Sequence, residues 1–191
     1  MPISATPSAT SEPASKGAHL EGADLRDIQL DRIPGRRRRP IAGRRLPNGK
    51  GANLQGVHLD IFTDLSNAHL RDANLSGATF PRGDMDGADL ENTNLSRAKG
   101  RGANLRDATL RFANLRGADL KDANLFDATL SGANLRGADL RGADLKLAQL
   151  GGADLTGAKI NTKTDTRGAN CAATTWVNGK KIFGRCPRRV S

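Results

Sequence analysis

The sequence is poor in what ordinary globular cores are built from. Among its 191 residues there is no Tyr, one Trp (Trp176) and five Phe. Aromatic side chains supply much of the buried area in most interiors, so this core must be filled by something smaller and more uniform. Cysteine is nearly absent too. Cys171 and Cys186 are the only two, which excludes a disulfide-dense scaffold. They read as reduced thiols, with a single bridge closing the C-terminal segment as the alternative. No apolar run reaches the ~18–20 residues of a membrane-spanning helix. The opening MPISATPSATSEPASKG lacks the apolar stretch of a secretory signal and reads as a disordered tail over residues 1–17. The expected address is therefore cytoplasmic.

Negative charge is scarce only at the two ends. Residues 1–50 carry ten Lys/Arg and five Asp/Glu, residues 51–160 thirteen and fourteen, and residues 161–191 seven and one. The formal net charge of +10 is thus terminal, and the middle is balanced. A basic protein invites a nucleic-acid or anionic-surface reading, and here that reading falls on the ends.

What the middle has is a period. From Leu65 to Ile160, nineteen of the twenty positions spaced five apart are apolar. All are Leu except Phe80, Met85 and Ile160, and Gly100 is the gap. Two residues before each slot stands Ala in seventeen of twenty cases, the exceptions being Thr63, Gly83 and Thr93. The unit is A-[DN]-L-x-x, as in Ala113-Asn114-Leu115-Arg116-Gly117. A period of five fits no regular element. On an α-helix successive Leu would drift ~140° around the axis, and on a flat strand they would alternate between faces. They can all face inward only if the chain bends at every repeat, and Gly77, Gly87, Gly117, Gly137, Gly142 and Gly157 sit where such bends belong. If four repeats close a coil, residues twenty apart stack, and Asn74, Asn94, Asn114 and Asn134 form a column of the kind that ties layers together.

A tandem run of A-[DN]-L-x-x over about 110 residues resembles the pentapeptide-repeat family. The resemblance implies an all-β fold: a right-handed quadrilateral β-helix, a solenoid with four repeats per coil and the Ala and Leu slots inward. The leucine-rich alternative needs periods of 20–29 residues, which are missing. The best-known activity of the family is mimicry of duplex DNA toward DNA gyrase or topoisomerase IV, giving resistance to their poisons.

The edges of the solenoid are also legible. Ala18-His19-Leu20, Ala23-Asp24-Leu25 and Leu30 fit the repeat. Residues 31–50 then break it with Pro, Gly and the cations Arg36, Arg37, Arg38, Arg39, Arg44 and Arg45, and read as an exposed basic insertion. Leu54 and Leu59 resume one residue out of phase. The repeat domain therefore spans 18–160, with a C-terminal cap and basic tail at 161–191. Within the cap, Asn178-Gly179 between apolar residues signals a hairpin whose Trp176, Ile182 and Phe183 would cover the last coil. Some family members dimerise through a C-terminal helix, but this tail has no helical period. At Gly100 the missing Leu implies a void or a pinched layer.

Nothing in the sequence converges on catalysis. His19, His58 and His69 occupy the outward [DN] slot, and there is no phosphate loop, paired-Cys spacing or nucleophile motif. The chain reads as a non-enzymatic protein with neither cofactor nor metal, acting through its surface. Sorted into four columns, that surface nets −1 through Leu70, +2 through Leu75, +3 through Phe80 and −4 through Leu65. The acidic column holds Asp86, Asp107 and Asp127 together with the outward Phe126 and Leu147, which form the best candidate patch for an unknown protein partner. The leading expectation is a protein-interaction scaffold. DNA mimicry is the alternative, although five coils span ~24 Å, over which B-DNA carries ~14 charges. Unspecific binding of nucleic acid or an anionic surface is the third, through Arg36–Arg39, Arg44 and Arg45 with Lys180, Lys181, Arg185, Arg188 and Arg189.

Overall fold

The structure is a computed structural model that describes residues 51–59 and 64–187. The expected tail at 1–17, the repeats at Leu20, Leu25 and Leu30, the basic segment 31–50, and Arg188 and Arg189 all lie outside the described residues.

From Asp64 onward, parallel bridges link residues twenty apart, such as Asn74↔Asn94, Thr79↔Lys99, Asp84↔Asn104 and Asp89↔Thr109. Four consecutive repeats close one turn, and the chain winds as a right-handed quadrilateral β-helix. The first face runs through Leu70, Leu90, Leu110, Leu130 and Leu150. The second runs through Leu75 to Leu155, the third through Phe80 to Ile160 and the fourth through Leu65 to Leu145.

One unit shows why the sequence is A-[DN]-L-x-x. The Ala73 N–H donates to the Leu70 carbonyl (3.1 Å), closing a turn. Asn74 N–H reaches Ala52 O on the preceding coil (2.8 Å). Leu75 and Gly77 N–H reach Asn94 O (2.7 Å) and Ser76 O's successor, Ser96 O (2.8 Å), on the following coil. Only the Ser76 N–H is left, and the Asn74 side-chain oxygen accepts it at 3.2 Å. Every donor is thereby satisfied. Asx is favoured because it supplies that oxygen, although Thr79, Lys99, Thr109 and Gln149 also take the slot, Leu fills the interior, and Ala leaves room for the neighbouring coil. Where Thr replaces Ala, its buried hydroxyl donates to a Leu carbonyl one coil back: Thr93 to Leu70 (2.9 Å) and Thr174 to Leu150 (2.6 Å).

Each corner places its second turn residue at positive φ, without exception from Asn67 to Gly157. This backbone suits a type II turn and favours Gly or Asn. Many corners use neither: Arg82, Arg97, Phe112 and Leu147 adopt φ of 55°, 57°, 56° and 61°.

Four expectations need correction. Gly100 leaves neither void nor pinch, because the ring of Phe80 from the preceding coil occupies its place; a Cβ on Gly100 would lie 2.3 Å from Phe80 Cε2. The coil does not end at Ile160. One extra residue is absorbed near Asn161, and bridges Asp144↔Asp165, Gln149↔Asn170 and Asp154↔Thr175 carry three more faces to Trp176. Cys171 and Cys186 are joined in a disulfide, not free. The two meet because Cys171 takes a Leu slot while the returning chain lies over it, with Cys171 N–H donating to Gly184 O at 2.7 Å. Finally, Trp176 is buried and Ile182 partly so, but Phe183 is 82% exposed and covers nothing. The hairpin itself forms, pairing β1 (Thr174–Thr175) with β2 (Lys181–Ile182), its bend closed by Gly179 at φ 79°.

Candidate functional site

With Ala and Leu filling the interior, any site must lie on the outward slots and corners. Among the described residues, no group of three or more His, Cys, Asp or Glu could hold a metal ion. His58 and His69 stand outward on the third and first faces, bridged to Thr79 and Asp89. Among the described residues, no helix is long and apolar enough to cross a membrane.

The acidic fourth face is more internally paired than its sequence suggests. Asp107 bonds Arg106 at 3.1 Å, Asp144 meets Lys146 at 2.9 Å and Asp165 meets Arg167 at 2.6 Å. The Arg167 guanidinium holds the Asp165 carboxyl below the usual range. Asp127 is exposed, and Asp86 is half-buried with one carboxylate oxygen that has no hydrogen-bond partner. On the third face Arg141 grips Asp139 with two bonds of 2.8 and 2.6 Å and holds its pKa at about 2, with Lys121 adding to the effect.

Phe126 is not a free apolar contact. It is half-buried, with Arg106 above its ring at 5.0 Å and Lys146 at 6.0 Å, so cations from the flanking coils occupy its faces. Leu147 is exposed as expected, at 43%. The residue missed by pattern reading is Phe112, exposed at 56%. Its signal was available, for it occupies a fifth-position slot where Gly, Asn or Asp normally takes the positive φ.

Phe112 stands at the corner between the first and second faces, and Leu147 at the corner between the fourth and first. Between them the first face is uncharged over 129–132 and 149–152, with Arg111 at its edge, 5.6 Å from the centroid of the Phe112 ring. It presents Thr129, Ser131, Gln149, Gly151 and Asn170. Of the basic residues expected to bind anions, Lys180, Lys181 and Arg185 are described and exposed at the cap.

The model of pentapeptide repeats matches residues 61–97, 84–122 and 123–161, in eight copies. The chain belongs to the pentapeptide-repeat family. It is similar to HetL, a pentapeptide repeat protein involved in heterocyst differentiation regulation from the cyanobacterium Nostoc sp. strain PCC 7120, at 25% identity. That match covers 88% of this chain and 95% of HetL, with a TM-score of 0.52. Rfr23 from the cyanobacterium Cyanothece 51142 is 32% identical over 60% of this chain and 87% of its own, with a TM-score of 0.48. QnrB1, a plasmid-mediated fluoroquinolone resistance protein, is 18% identical over 88% of this chain and 90% of its own. Its TM-score of 0.33 gives it no weight in a functional argument. No curated protein matches the chain.

Proposed function

We propose that this pentapeptide-repeat protein is a non-enzymatic interaction scaffold that docks a protein partner on its first face, framed by Phe112 and Leu147. The observation that carries this reading is the placement of two bulky apolar side chains at positive φ, 56° and 61°, with 56% and 43% of their surface exposed. A bulky residue in that backbone region is disfavoured. Gly would be easier there, and exposure returns little hydrophobic stabilisation. Such a choice fits selection for contact better than selection for stability. The uncharged stretches 129–132 and 149–152 between the corners suit desolvation against a partner, since the one ion at their edge, Arg111, lies against the Phe112 ring.

The test replaces both residues by Gly. The double variant Phe112→Gly, Leu147→Gly should melt no lower than the native chain while a partner crosslinked to the native rod is no longer retained. A variant that keeps its partner refutes the assignment. The DNA-mimic alternative predicts instead that protection of gyrase supercoiling depends on Asp86, Asp107 and Asp127. The ion pairs along the fourth face reduce the unbalanced acidity that such mimicry needs, so the scaffold reading is preferred.

A further inference from the structure

The rod is electrically two-sided over its first half. The second and third faces, in stretches 51–59, 73–83 and 93–102, carry Arg82, Arg97, Lys99 and Arg101 and no carboxylate. The second face continues with Arg116 before Asp119 and Asp122 appear on the third, where Asp122 meets Arg101 at 3.3 Å. The opposite faces, in stretches 64–72, 84–92 and 104–112, carry seven carboxylates against three Arg. On the positive side a shallow groove of about 480 Å³ runs from Gln55 to Arg116 along the second face, past Ser76, Ser96, Arg97 and Asn114. It crosses three coil spacings, ~14 Å at ~4.8 Å each.

The chemistry of this groove is nearly all donor. The Asn74 side-chain oxygen accepts both the Ser76 N–H (3.2 Å) and the Asn94 amide (3.3 Å). The Asn94 oxygen is filled in the same way by the Ser96 N–H (3.1 Å) and the Asn114 amide (3.3 Å). Each amide nitrogen has two hydrogens and spends one on the ladder, so the other faces outward with no competing acceptor on the same group. Arg97 and Arg116 add two guanidinium groups that meet no carboxylate among the described residues. Arg97 leans over Gly117 of the next coil, its Cγ 3.9 Å from where a Cβ would stand there, which lays the side chain along the rod.

We propose that this groove binds an extended acidic peptide segment of a partner protein, with carboxylates on Arg97 and Arg116 and main-chain carbonyls on the Asn amides and Ser hydroxyls. A length of ~14 Å holds about four extended residues, and two cations match two acidic side chains in such a segment. A nucleic acid fits less well. A duplex of that length presents about eight charges, against two guanidinium groups in the groove, and the groove has no aromatic ring for bases to stack on. The groove lies on the second face, around the Phe112 corner from the first-face strip, and neither Phe112 nor Leu147 lines it, so the two readings are tested separately.

The test titrates a fluorescent hexaglutamate peptide into the full-length protein by anisotropy, beside a single-stranded oligonucleotide of six nucleotides. The double substitution Arg97→Gln, Arg116→Gln should weaken the peptide by about tenfold at low salt and leave the melting temperature unchanged. Lys180→Gln, Lys181→Gln removes the same charge at the cap, on the far end of the rod, and should change affinity by less than about twofold. The double variant Phe112→Gly, Leu147→Gly should bind the peptide as the native chain does. Equal losses from the Arg97/Arg116 pair and the Lys180/Lys181 pair would mean net charge alone is read, and would overturn the site. Tighter, Arg97-dependent binding of the oligonucleotide would overturn the peptide as occupant.

Discussion

The gap in the leucine ladder gives the sharpest stability experiment. Repeat logic says that Gly100→Leu restores the missing core residue and should stabilise. The structure says the opposite. Phe80 is 1% exposed, and its ring fills the space a residue-100 side chain would need: Cε2, Cζ and Cδ2 lie 2.3, 2.9 and 3.0 Å from an added Cβ. Ordinary carbon contacts are ~3.5–4.0 Å, so even the first carbon overlaps by more than ~0.5 Å with all three atoms. The ring belongs to a residue locked between coils and cannot swing out to solvent. Gly100→Leu should therefore cost about 2–3 kcal/mol as overpacking. Phe80→Leu alone leaves a partial cavity and should cost about 1–2 kcal/mol. The double variant Phe80→Leu, Gly100→Leu puts two ordinary Leu layers where there was one large and one empty. It should fall within about 1 kcal/mol of the native protein, a coupling of about 3 kcal/mol. Thermal melts of the four proteins measure this, at roughly 2–4 °C per kcal/mol for a chain of this size. A rise in melting temperature for Gly100→Leu alone, or additive losses in the double variant, would refute the account.

Two further outcomes follow from the ion pairs and the cap. Asp139 has its pKa lowered from 3.8 to about 2. Its contribution, about 1–2 kcal/mol, is thus present above pH ~4 and lost as pH falls toward 2. Asp139→Asn should flatten the stability–pH curve in that window, and an unchanged slope would exclude the pair. The Cys171–Cys186 bridge spans a separation of 15 residues. By loop-closure entropy its reduction should cost about 3 kcal/mol. Hydrogen exchange should localise the opening to the Cys171 amide and the β1–β2 hairpin, and full reduction without any change in melting would count against it.

Periodicity made the fold legible. Leu at every fifth position excludes both a straight helix and a flat strand, so the chain must bend at each repeat, and the bridges twenty apart bear out the four repeats per coil that the family resemblance implied. The same pattern assigned inward and outward slots correctly at Leu115, His58 and Phe80, because burial of a slot depends only on its place in the local unit. The hairpin at Asn178-Gly179 is likewise a local signal. At Gly100, Phe126 and the cysteines, where pattern reading failed, the deciding partner lay 15 or 20 residues away in the chain.

By itself, then, the sequence determined the repeat and the inward residues up to Ile160, since both follow from chemistry within five residues, while the coil of four came from the family resemblance and is borne out by the bridges. Only the tertiary structure decided what happens between coils. Phe80 fills the hole at Gly100, Arg106 and Lys146 cover Phe126, and Cys186 returns to Cys171. Each of these is a contact between residues 15 or 20 positions apart, brought to van der Waals or ring-stacking distance by a coil rise of ~4.8 Å. The candidate surfaces share that origin: the donor-lined groove at Arg97 and Arg116 is built from neighbouring coils, and no single repeat contains it.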